Sequence, residues 1–116
     1  MAQTDMLLHV GPARFTKAGY IKFGRYESGE LAIVIMGFDE QPQGKATVSL
    51  MPYGAPHPGD FGVWLKGWSE NEGIPAALEK AGIVRLTDDR FPTGFVEAVR
   101  AELTDKARAA LARVQA

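Results

Sequence analysis

The sequence has no cysteine. That excludes disulfides, thiolate nucleophiles, zinc–thiolate sites and iron–sulfur clusters. Histidine is almost as scarce, with only His9 and His57. They lie far apart in the chain and lack the short spacing of paired metal ligands. With Asp60 as the nearest carboxylate candidate for a third ligand, no metal site is expected. The serines have no G-x-S-x-G elbow, and the glycines form neither a dinucleotide fingerprint nor a P-loop. No catalytic residue, cofactor or metal ligand is therefore assigned.

Long apolar runs are also missing. The longest, LAIVIMGF, is strand-sized and far short of a bilayer span. The N-terminal MAQTDMLLHVGPARF lacks a basic segment followed by an apolar core, so no secretion signal or membrane association is expected. A cytoplasmic location is the resulting expectation. No repeat, low-complexity tract or linker divides the 116 residues, which are read as a single domain.

The net charge of −1 conceals an uneven distribution. Residues 1–26 carry +3, residues 27–79 carry −6 and residues 80–116 carry +2. This is not the strong basic excess of a duplex-binding domain. The acidic middle suits a basic partner, although solvated faces of strands and loops are the simpler account.

Residues YIKFGRY alternate, ESGE supplies a turn, and LAIVIMGF is apolar at nearly every position. The pattern predicts a hairpin leading into a central strand covered on both faces. QPQG reads as the next turn, KATVSL as a half-buried strand and MPYGAPHPGD as a loop rich in proline and glycine. FGVWLKGW resumes a strand, with Phe61, Val63 and Leu65 on one face and Trp64 on the other.

Ser69 and Glu72 have the spacing of a capping box. Ile74, Ala77, Leu78 and Ala81 then form one apolar stripe, and Gly82 suits a left-handed helix end. Pro75 conflicts with a cap at Ser69, because its ring would fall inside the helix. A turn over SENE, followed by a helix from about residue 73 to 82, removes the conflict. IVRL is a short strand, TDDRFPTG a loop, and FVEAVRAEL fits a strand better than a helix. A last helix spans about 105–114, with Thr104 as its cap. The expected class is α+β: an antiparallel sheet of four to six strands, the first helix packed on it, and a C-terminal helix.

Two functional readings follow. Trp64 and Trp68, beside Glu70, Asn71 and Glu72, are material for a protein interface, where tryptophan is enriched. Trp64 needs a cover on its own face, either a partner or the C-terminal helix. Glu70 and Glu72 read as helix punctuation rather than an acid–base pair, which would need a pocket between them. The alternative reading places nucleic acid against Lys22, Arg25 and the basic C-terminal helix, although Tyr20 and Phe23 face opposite sides of their strand. The pairing of a sheet edge with a second copy is left open.

The stretches FGRYESGELAIVIMGFDEQPQGKATVSL, VWLKGWSENEGIPAALEKAGIV and TGFVEAV together resemble a family of short proteins encoded on plasmids, conjugative elements and phages. The resemblance covers about residues 20–103. Pro75 and the proline-rich loop depart from the family pattern. The resemblance implies a small, non-enzymatic accessory protein that binds a protein partner. A host defence complex, blocked in the manner of anti-CRISPR or anti-restriction proteins, is the most concrete such partner. It assigns no functional residue.

Overall fold

The structure is a computed structural model and describes residues 7–10, 17–37, 41–68 and 73–115. Among these residues, seven strands and two α-helices follow one another as β1 (Leu7–Val10), β2 (Lys17–Arg25), β3 (Leu31–Met36), β4 (Pro42–Lys45), β5 (Gly62–Leu65), α1 (Ile74–Lys80), β6 (Val84–Pro92), β7 (Glu97–Leu103) and α2 (Asp105–Gln115). The class is α+β. The strands form two antiparallel sheets rather than the single sheet expected, one ordered β1-β2-β3-β4 and the other β5-β7-β6.

The β2–β3 hairpin is as the alternation predicts. Gly29, at φ +91, allows its turn, and Ile21 and Phe23 point inward opposite Ile35 and Ile33. QPQG is not a turn. Pro42 begins β4, where a strand tolerates a missing N–H, and the pairing with β3 shifts register at Ile35/Met36. KATVSL is not a regular strand either. It passes from one sheet to the other. The Ala46 N–H bonds to the Ile33 carbonyl in the first sheet at 2.9 Å. The Lys66 N–H bonds to the Ala46 carbonyl, and the Val48 N–H to the Trp64 carbonyl, in the second. Thr47 and Leu65 are bridge partners.

β6 is far longer than IVRL. The expected loop TDDRFPTG mostly continues it, past a bulge between Leu86 and Arg90. Arg100 locks that bulge through its Nε, 2.6 Å from Asp89 Oδ2. The Thr87 hydroxyl also donates to the Arg100 carbonyl, at 2.8 Å. Charged and polar residues in the bulge removed the apolar alternation that marks a strand.

Helix α1 starts after Gly73, with Pro75 in its first turn, where no backbone donor is required. It ends in paired bonds from the Ile83 N–H to the Leu78 carbonyl and from the Gly82 N–H to the Glu79 carbonyl. Gly82 takes the left-handed conformation this ending requires. Residues 69–72, and with them the Ser69–Glu72 capping pair, lie outside the described residues.

One core joins both sheets and both helices. It contains Ile21, Phe23, Ile33 and Ile35 from the first sheet, and Val63, Leu65, Val84, Ala101 and Leu103 from the second. Ile74 and Leu78 of α1 and Ala107, Ala110 and Leu111 of α2 complete it. Helix α1 packs against both β1 and β6, the outermost strands of their sheets. It therefore spans the gap between them. Among the described residues, no helix is long and apolar enough to cross a membrane.

Thr104 caps α2 by accepting from the Ala107 N–H at 3.2 Å, and its own hydroxyl donates to the Gly82 carbonyl at 2.5 Å. It thus fixes the start of one helix to the end of the other. Thr104→Ala is expected to cost about 1–2 kcal/mol in urea unfolding, with the denaturant slope unchanged.

Candidate protein-binding surface

The outer face of the second sheet follows from its register. Trp64 lies opposite Arg100, and Ala98 opposite Phe91. Gly62 and Arg85 flank Glu102. The face therefore has a charged half and an aromatic half. In the charged half, Arg100 reaches Asp89 at 2.6 Å and Glu102 at 3.6 Å, and Arg85 reaches Glu102 at 3.4 Å.

In the aromatic half, Trp64, Leu50, Ala55 and Ala98 form a second, smaller core with Val48, Trp68 and Phe91 at its margin. The Trp64 and Phe91 rings meet at a tilt, with centroids 6.0 Å apart. The cover over Trp64 is the proline-rich segment 50–60. Helix α2 instead packs on the inner core, on the other side of the sheet. Trp64 is 2% exposed, and its indole N–H donates to the Pro56 carbonyl at 3.2 Å. This corrects the expectation that Trp64 contacts a partner: the chain itself covers the ring.

Segment 50–60 behaves as a strap. It turns tightly over Met51–Tyr53, with Gly54 left-handed at the turn's end. Leu50 and Ala55 anchor it in the aromatic core. At its far end Arg100 Nη1 donates to the Pro58 carbonyl at 3.3 Å. The Gly59 N–H donates to His57 Nδ1 at 3.0 Å, with His57 itself exposed.

The near end of the strap is held by Glu30, a buried carboxylate that the sequence reading passed over as a turn residue. Ser28 Oγ and Ser49 Oγ donate to Glu30 Oε1 at 2.7 and 2.8 Å. The Leu50 and Met51 N–H groups donate to its two oxygens at 3.2 and 3.3 Å. Burial alone would push the carboxyl up, but these four donors outweigh it and hold Glu30 below the usual glutamate range. Of the four donors the Glu-Ser-Gly-Glu spelling contains only Ser28; the other three come from nineteen to twenty-one residues away, where no local pattern shows them.

Beside Glu30, Tyr26 donates to the Thr47 carbonyl at 3.1 Å. The Thr47 hydroxyl accepts from the Ile33 N–H and lies 3.0 Å from the phenol oxygen. Burial, and secondarily the charge of Glu30, push the Tyr26 phenol up despite the Thr47 bond.

The surface that remains open is aromatic. Tyr53, at the apex of the strap, is 77% exposed, and Phe95, at the tip of the β6–β7 hairpin, has 108% of its reference area exposed. Both spring from the same aromatic core, three residues from Leu50 and from Ala98 respectively. Gly94, at φ +86, occupies the first of the two tip positions, as a tight hairpin turn with glycine there requires. The Thr93 N–H closes the tip onto the Val96 carbonyl at 2.8 Å.

Of the residues expected at the interface, Trp68 is partly exposed at the margin of this core. Glu70, Asn71 and Glu72 lie outside the described residues. Phe61 does not join Val63 and Leu65 in the core; it is 38% exposed and lies under the Arg108 guanidinium at 4.1 Å. Tyr53 was missed because an aromatic residue in a loop has no periodicity to show where it points. Phe95 was missed because it reads as the first residue of an alternating strand, whereas β7 starts only at Glu97 and Phe95 sits in the turn before it.

Among the described residues, no three His, Asp or Glu side chains come together as a metal site would need. A β-carbon on Gly62 would fall 1.8 Å from the Pro58 carbonyl oxygen. Gly62→Ala is therefore expected to unseat the strap and lower stability by about 1–3 kcal/mol, the range for overpacking. Near-UV circular dichroism of Trp64 would report the loosened packing. Comparisons with protein-family models, curated proteins and solved structures yield no match to this chain.

Proposed function

We propose that this protein is a non-enzymatic accessory protein that acts by binding another protein through the aromatic outer surface of its second sheet. The observation that carries the reading is Phe95. A wholly hydrated phenylalanine ring stands at a closed hairpin tip, so inserting it into an apolar pocket removes water from the whole ring at little cost in backbone order. Tyr53 and Trp68 add aromatic area nearby. Exposed Asp60, Asp88 and Glu97 on the strap and hairpin, interspersed with exposed Arg85 and Arg90, favour a rim of mixed charge around that pocket.

Within this reading the concrete role is that of a mobile-element protein that blocks a host defence complex, of the anti-CRISPR or anti-restriction type. The sequence resemblance and the exposed aromatic surface support it. Tagged wild-type protein is expected to capture a defined partner from host extract, and Phe95→Asp to reduce that capture at least about tenfold while shifting stability by no more than ~0.5 kcal/mol. Equal capture by both proteins would remove the hairpin from the interface.

A second reading, nucleic-acid binding, has one observation in its favour. Lys22 and Lys45 flank Val34 in a single cross-strand row on the outer side of the first sheet. In this reading a labelled single-stranded oligonucleotide binds at low salt, and Lys22→Glu with Lys45→Glu abolishes the binding. An oligonucleotide bound equally by the parent and the double variant discards that row as the contact.

A further inference from the structure

The geometry points to an acid-released strap: the Glu30 carboxylate is the latch that keeps segment 50–60 closed over Trp64, and its protonation opens that segment while both sheets stay folded. The inference goes beyond the binding reading and does not depend on it.

The latch joins two segments remote in sequence. Ser28 comes from the β2–β3 turn, and Ser49, Leu50 and Met51 from the start of the strap. All four groups are donors, so the arrangement needs an acceptor-only carboxylate. A protonated carboxyl brings its own hydrogen into a ring of donors and loses the charge-assisted part of every bond.

The other groups around Glu30 do not replace that charge. Tyr26 faces it from the same turn and is engaged with Thr47. Arg25 gives its guanidinium to the Gly29 carbonyl at 2.9 Å, and Lys45 lies 5.1 Å over the Tyr26 ring. Glu27 is exposed. Among the described residues, no lysine or arginine pairs with Glu30.

Opening is local because the strap is held separately from the main core. Its backbone bonds are short-range, from Tyr53 and Ala55 to Leu50, from Gly54 to Met51 and from Gly62 to Gly59. Its apolar anchors, Leu50 and Ala55, belong to the small aromatic core, whereas the two sheets and both helices share the other. Once the latch is lost, the Pro56 and Pro58 carbonyl clasps and these two anchors remain, and they leave the strap less stable than the sheets beneath it.

The sign follows from linkage. Glu30 titrates below its unfolded value, so its contribution is complete above that value and disappears as pH falls through the folded one.

The test uses the full chain carrying Trp68→Phe, which leaves Trp64 as the sole tryptophan. Acrylamide quenching of Trp64 and far-UV circular dichroism are followed from neutral pH to about pH 2. Quenching is expected to rise at a higher pH than the dichroism falls. Glu30→Gln is expected to show the acid level of quenching already at neutral pH, with dichroism intact and no acid step. Ser49→Ala removes one donor and moves the quenching step to higher pH; it decides the matter if Glu30→Gln fails to fold. A single transition in which both signals change together, or a Ser49→Ala step at the parent's pH, overturns the inference.

Discussion

The passage of Ala46–Val48 from one sheet to the other is the constraint on which the remaining architecture depends. Ala46 spends its N–H on Ile33 and its carbonyl on Lys66, so one residue is shared between two ladders. Thr47 has no regular ladder partner on the first sheet. It substitutes its hydroxyl, which accepts from the Ile33 N–H. A side chain without a polar atom at that position would leave a buried donor unpaired, at about 1–3 kcal/mol. Tyr26 lies against the same hydroxyl and carbonyl, and Glu30 fixes the residues that follow. The path of the chain is thus set by polar groups, while the apolar residues on either side decide which core each sheet faces.

This division explains the two cores. Residues on the inner faces of β2, β3, β5, β6 and β7 all enter the larger core, closed by α1 and α2. Among the described residues, neither α1 nor α2 covers the outer face of the second sheet. Its cover is a chain segment rich in proline, which cannot supply a ladder of donors. Side chains do that work instead: an indole, a guanidinium and a carboxylate each hold one point of the strap. The exposed Tyr53 and Phe95 mark where that cover ends and solvent begins.

How much of this was legible depended on whether a signal was local. The β2–β3 hairpin, the buried β3, the turn-by-turn stripe of α1 and the Thr104 cap all leave marks within a few residues, and all could be read. Pro75 was readable for the same reason, since its conflict with a Ser69 cap has only local solutions. The sheet count, the crossing at Thr47 and the bulge in β6 could not be read, because each is decided by pairing across a long separation. The opposed faces of Val63 and Trp64 were correctly indicated, but what covers Trp64 was not, because strap and helix are both plausible covers on pattern alone. Glu30 was invisible as a buried acid: its partners are serines and backbone groups that no spacing rule connects.

The bulge in β6 has a further effect at the rim of the second sheet. β6 is that sheet's outer strand, and its outward Leu86 N–H is already taken by Glu79 Oε2 at 3.0 Å. Beyond it the backbone buckles through Asp88 and Asp89 and reaches Pro92, which has no N–H to give. A foreign strand approaching this rim meets an occupied donor, a kink, two carboxylates and an imino acid in succession. The molecule thereby carries its own protection against accretion into cross-β fibres along that side.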